Sequence, residues 1–373
     1  MKYIQFIFIL LILLGCNEKK NRVDKIITDN TIKSGKLISI EKTLIDTMIF
    51  KKVSIIPLET NDESLFQEIN RISISNGRIY IFDNKLDKIC IFDEKGKYIN
   101  QIHKVGQGPE EYIAIWDFCL DKKNNEIIVL CDRPYKIMRF YLDGTFIKQT
   151  AFSNLYNEIS ISSDYLFCQM DKLKERDEIG CFDREFHLFY KGLSLRNRVN
   201  NNCHSMGKSL VKSKKLCYTR QFDPYIYYLS KEGIEKKYKF DFGKYTLPEG
   251  LSYQEDCSKI YEICSEREYV YSITNAVESD KYVIFNTNLG ICLYEKEKNK
   301  LSGYKLLQNQ SLNRGSNVFY PNEGDGNSII TSFEPISLSY YSENTIKNNP
   351  IISDLVKKVK SDDNQILIVY EFK

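Results

Sequence analysis

The stretch 79–99, IYIFDNKLDKICIFDEKGKYI, decides the fold, because it returns 48 residues later as 127–147, IIVLCDRPYKIMRFYLDGTFI. Both copies read as an apolar strand, a polar turn, a second strand, and a glycine-bearing turn into a third. Their shared core is I-x-x-[F/L]-x-x-x-G. It falls at Ile89, Phe92 and Gly96, at Ile137, Phe140 and Gly144, and at Ile226, Leu229 and Gly233. A tight hairpin with a positive φ explains the glycine. A fourth copy keeps Ile291 and Tyr294 but carries Lys298 where glycine would fall, so a different turn is expected there.

Weaker copies lie at 164–195, 328–338 and 365–372. Counted outward from residue 71, the repeats divide the chain into units at 71–102, 115–152, 156–195, 208–243, 272–307 and 318–373. Units of this length predict an all-β, six-bladed β-propeller of four-stranded antiparallel blades. Such a ring must close, and 52–58 (KVSIIPL) is the candidate for a strand donated to the last blade. Closure of this kind leaves only short sheet edges. Apolar spacing near 3.6 predicts two short helical insertions, at 252–268 and 352–359.

Upstream of the repeats, Met1 and Lys2 precede the apolar run 3–14 (YIQFIFILLILL), then Gly15 and Cys16. This reads as a lipoprotein signal peptide over 1–15, with a lipobox at Leu13-Leu14-Gly15-Cys16 and lipid on Cys16. The run is shorter than the ~20 residues of a membrane span. Residues 16–30 are polar after the cysteine and read as a flexible tether, leaving 31–373 as one domain. The expected location is the cell envelope, as an outer-membrane lipoprotein that is periplasmic or surface-exposed.

The formal net charge is +3, and Lys and Arg are scattered among acids, which argues against nucleic acid as a partner. The 26 Tyr and 21 Phe against 8 Pro favour ordered β structure. Beyond Cys16 no cysteines form a C-x-x-C pair, so no zinc or redox motif is expected, and most read as small core residues with any disulfide pairing left open.

Four passages resemble the six-bladed β-propeller lipoproteins of Bacteroides and relatives, which are akin to NHL-repeat propellers. They are 55–72 (IIPLETNDESLFQEINRI), 103–112 (HKVGQGPEEY), 222–228 (FDPYIYY) and 361–373 (SDDNQILIVYEFK). Two departures are Glu110, where the family's G-x-G-P turn continues with glycine, and Gln365, where proline usually follows D-D-N. The resemblance implies a fold and a location, and no substrate.

Gly106-x-Gly108-Pro109 lacks the helix and lysine of a phosphate loop and reads as a structural turn. His103, His187 and His204 belong to different blades and lack metal-ligand spacing, so neither a metal nor another cofactor is expected. No G-x-S-x-G elbow is present. Aromatic and guanidinium groups near blade junctions suit glycans or peptides: Tyr112, Trp116, Arg133, Tyr135 and Arg220 are the expected ligand-binding residues. The leading expectation is a non-catalytic binding propeller with a glycan, peptide or envelope-protein partner. The alternatives are a glycan- or peptide-directed lyase or hydrolase, with His103 and Glu111 at the channel mouth, and a structural subunit of an outer-membrane assembly.

Overall fold

The stretch at 79–99 forms two strands, Arg78–Asp83 and Lys88–Asp93, paired antiparallel so that Ile79 faces Phe92 and Phe82 faces Ile89. Arg71–Ser75 on the inside and Tyr98–Ile102 on the outside complete a four-stranded blade. The computed structural model, which describes residues 26–27, 32–172, 175–197, 199–323 and 326–373, repeats this unit around a ring. Blade 2 spans 114–151, blade 3 spans 156–194, blade 4 spans 210–241 and blade 5 spans 273–309. Blade 6 takes its three inner strands from 320–372 and its outermost strand from Phe50–Pro57. Ile55 stands opposite Ile368 in that closing pair. The chain is therefore the closed six-bladed propeller that the repeats predict.

The hairpin glycines adopt the left-handed conformation expected of them, with φ of +86° at Gly96 and +90° at Gly144. In the fourth copy Asn299 takes that role at φ +51°, one residue after Lys298. Asparagine tolerates this region better than lysine does.

Apolar faces of neighbouring blades pack on one another. Tyr80, Phe82 and Ile89 of blade 1 meet Phe118, Ile127 and Val129 of blade 2 in a single buried cluster. Each such side chain contributes roughly 1.5–3 kcal/mol of burial. The helix Cys257–Arg267 buries Ile260 and Cys264, with Asp256 accepting the backbone N–H of Ser258 at its start. The helix Pro350–Lys358 buries Ile352 and Leu355 against Phe333 and Leu338 of blade 6.

Two features were not anticipated. Lys33–Ile45 forms a long strand that runs parallel to the outer strand of blade 4 and then to that of blade 5, joining them into one sheet. Ile26 and Ile27, inside the stretch read as tether, pair in parallel with Ile234 and Glu235, so the chain is attached to blade 4 by Ile26. The second feature is a disulfide, Cys203–Cys257, which ties the loop before blade 4 to the start of the helix. Eight other cysteines are free and buried, as expected of core residues. The signal peptide, Cys16 and residues 16–25 of the tether lie outside the described residues.

Candidate functional site

Strands within a blade alternate in direction, so the turns joining second to third strands share one face with the loops that pass between blades. The innermost strands begin at that face, here termed the opening face. Charged residues stand at or near the start of the inner strands: Arg71 in blade 1, Asp117 in blade 2 and Glu158 in blade 3, with Lys208 just before blade 4. Alternation along each strand turns these side chains into the channel.

Arg71 is buried at 2% exposure and its guanidinium reaches across the ring. Nη1 donates to the carbonyls of Phe118 and Ile159 at 2.7 Å each, and Nη2 donates to the carbonyl of Leu210 at 3.0 Å. It is 3.0 Å from the Asp117 carboxylate and 3.4 Å from that of Glu323 in blade 6. Asp117 also pairs with Lys208 at 3.1 Å, while Glu158 accepts the backbone N–H groups of Ser209 and Leu210. Burial pushes the Glu323 carboxyl up to about 7, against the pull of Arg71. Burial opposes charge on Arg71, but the three carboxylates outweigh it and hold the guanidinium protonated. One side chain of blade 1 thus ties together blades 2, 3, 4 and 6 at the channel.

Above this network a cleft of about 790 Å³ opens at the mouth, with Arg71, Lys208 and Asn275 at its floor. Tyr271, Leu289 and Val318 are among its walls, and Met206 on its lip is 93% exposed. Its amides brace the loops: Asn275 donates to the Phe319 carbonyl at 2.8 Å and Asn288 to that of Tyr269 at 2.8 Å.

Residues 29–371 match a family described as a domain of unknown function, DUF4934. The chain belongs to the DUF4934 family. No curated protein matches the sequence of this DUF4934 chain. Among solved structures it is similar to a candidate exported protein of Bacteroides fragilis, at 20% identity and a TM-score of 0.71, over 92% of this chain and 100% of that one. It is also similar to a DUF4221 member from Bacteroides vulgatus, at 13% identity and a TM-score of 0.51, covering 87% and 97% of the two chains. At these identities the likeness is one of fold.

Several of the expected site residues of this DUF4934 propeller lie between blades 1 and 2 or in blade 2. Tyr112 donates its hydroxyl to the Asp87 carbonyl at 2.8 Å, and the Asp87 carboxyl, whose pKa is raised chiefly by burial, accepts the backbone N–H of Ile115 at 2.9 Å. Arg133 is exposed, with Nε 3.1 Å from Asp132, and Tyr135 stacks on Phe152 at 6.2 Å between ring centres. Trp116 is 39% exposed at an irregularity in the inner strand of blade 2.

Other anticipated residues are engaged internally. Tyr112 is fully buried, so its ring packs in the core between blades 1 and 2 and offers no open face. Arg220 sits away from the junction, in blade 4, and its guanidinium is held by Asp223 at 2.6 Å and Glu178 at 3.3 Å. The Glu111 carboxylate accepts the backbone N–H of Gly108 at 2.7 Å, which makes it a brace of its own turn. The three histidines are not brought together: His187 pairs with Asp183 at 3.0 Å in the turn between the outer two strands of blade 3, on the opposite face. Among the described residues no group of three or more His, Cys, Asp or Glu is arranged to hold a metal, and no helix is long and apolar enough to cross a membrane.

Sequence reasoning missed Arg71, Asp117, Glu158, Lys208 and Glu323. The signal was a charge next to the first residues of successive apolar inner strands, which recurs from blade to blade.

Proposed function

We propose that this protein is a lipid-anchored envelope propeller, of NHL-like kinship, that binds a glycan or peptide at its opening face. The observation that carries the reading is a 790 Å³ recess at the opening face, lined by Arg71 and Lys208 of the buried charge network together with apolar side chains. Recesses with apolar walls and a few placed polar groups are the usual form of small-ligand sites. Arg133, Tyr135 and Trp116 stand on the same face and supply a second contact patch for an extended ligand. Lipidation at Cys16 would hold the ring at a membrane, and Asn17 after it fits outer-membrane sorting.

The test is binding of the purified full chain to panels of oligosaccharides and peptides, followed by Leu289→Trp to fill the cleft. The expected outcome is a loss of affinity of about tenfold or more with unchanged thermal stability. Unchanged affinity in Leu289→Trp and in the pair Arg133→Ala, Tyr135→Ala would remove this face as the site. Lipid attachment is checked by labelled palmitate, which should enter the wild-type protein and not Cys16→Ser.

A further inference from the structure

Between blades 3 and 4 the opening face gathers three cationic side chains, one of which makes no direct polar contact among the described residues. Lys172 follows the second strand of blade 3, Arg196 follows its last strand, and Arg220 follows the second strand of blade 4. Three carboxylates act on them: Glu178 and Asp223, and Glu158 on Lys172. Arg220 engages Glu178 and Asp223, and each of these also accepts a tyrosine hydroxyl: Tyr218 donates to Glu178 at 2.8 Å and Tyr227 to Asp223 at 3.0 Å. Arg196 donates to the carbonyls of Phe222 and Gln221 and stands 3.8 Å from Asp223. The Lys172 ammonium makes no hydrogen bond or ion pair among the described residues. Burial, joined by the like charges of Arg196 and Arg220, lowers its pKa against the opposing pull of Glu178, the larger single charge effect, and of Glu158.

Lys172 lines an open recess of about 800 Å³ together with Leu195, Asn200, Asn202, Tyr253 and Glu255. Tyr253 is 44% exposed there and offers a ring face. The Asn200 amide is already spent on the carbonyls of Gln254 and Glu255, which fixes the wall of the recess against the segment leading into the helix. An ammonium with no direct hydrogen bond or ion pair among the described residues, lining the same recess as an exposed aromatic ring, matches a sugar that carries a carboxylate.

We propose that this recess is an acidic-sugar subsite, in which Lys172 takes the carboxylate of a uronate and Tyr253 takes the face of its ring. The proposal rests on the binding reading above and narrows it to an acidic glycan. Among the described residues lining the recess Glu255 is the one carboxylate, and it opposes such a ligand.

The probe is sodium glucuronate, with glucose and inorganic phosphate as comparisons, titrated into the full chain at constant ionic strength and followed by calorimetry and ligand-observed NMR. Glucuronate is expected to bind and glucose to bind far more weakly. Lys172→Met should lose about tenfold or more of the affinity, as for one charged hydrogen bond. Lys172→Arg should retain most of it, which separates lost charge from a misfolded loop, and Glu255→Gln should tighten it. Equal binding of glucose, or full binding by Lys172→Met, overturns the subsite. Phosphate binding as tightly as glucuronate, and indifferent to Tyr253→Ala, overturns the sugar and leaves a bare anion hole. If a neutral oligosaccharide binds in the cleft while glucuronate does not bind at Lys172, the subsite falls and the binding propeller stands. If no ligand responds to either site's variants, both fall.

Discussion

Gly96 sits in the turn between the outer strands of blade 1, where a Cβ would lie 2.1 Å from the carbonyl oxygen of Pro57. Pro57 ends the strand that closes the ring, and Glu59 donates its backbone N–H to Gly96 at 2.8 Å. Gly96→Ala therefore has both a strained φ and a backbone clash. Gly77, with φ +69° and nothing nearer than 3.9 Å, meets only the first of these. In urea titrations Gly77→Ala should cost about 1 kcal/mol, and Gly96→Ala clearly more. Glu323 gives a pH test at the same scale. Its carboxyl is raised from 4.5 to about 7 in the fold, so the folded state holds a proton that the unfolded state has released. Its contribution to stability is complete below 4.5 and is lost as the pH rises through about 7. Glu323→Gln should flatten that part of the stability profile, and an unchanged slope between the two proteins would count against it. The sequence showed the hairpin glycines because a positive φ is a local demand. It could not show that Tyr112 is enclosed or that Arg220 is neutralised, since both depend on residues of other strands.

Lys33–Ile45 exposes the limit of pattern reading for whole elements. Its sequence, KSGKLISIEKTLI, buries only Leu37, Leu44 and one backbone glycine fully along its length, and its partners lie some 200 residues away or more in blades 4 and 5. Neither alternation nor flanking turns mark it as a strand. The repeats, in contrast, pair with their own neighbours across short turns, and the expected blade boundaries fall within a few residues of those observed. Leu44→Ala would hollow the cluster formed with Val277, Ile284 and Leu307, and should cost about 2–5 kcal/mol by chemical denaturation. The helix Cys257–Arg267 depends on a different tie. Replacing Cys203 and Cys257 by Ser removes a link across 54 residues and should lower stability by roughly 2–4 kcal/mol, measured against the oxidised wild type.

Across the whole molecule, Arg71 is the side chain through which the blades meet. Removing it leaves Asp117 and Glu323 buried without their guanidinium, and Arg71→Met should destabilise the ring by about 3–5 kcal/mol in a urea titration. A smaller loss, within about 1 kcal/mol, would mean that Lys208 alone can carry these carboxylates. The channel network was hidden in the sequence because its members are spread from residue 71 to 323, each a single charge beside an apolar strand. The stitched amino-terminal segment also sets an order of events. Residues 33–57 are made early, yet the strands that receive them, 233–241, 300–309 and 366–372, are made late. During synthesis Lys33–Ile45 waits for strands some 200 or more residues later, and Phe50–Pro57 stays unpaired until the last strand has emerged. The ring cannot be completed from a partial chain, so a nascent or truncated copy presents open strand edges to the chaperones that meet it.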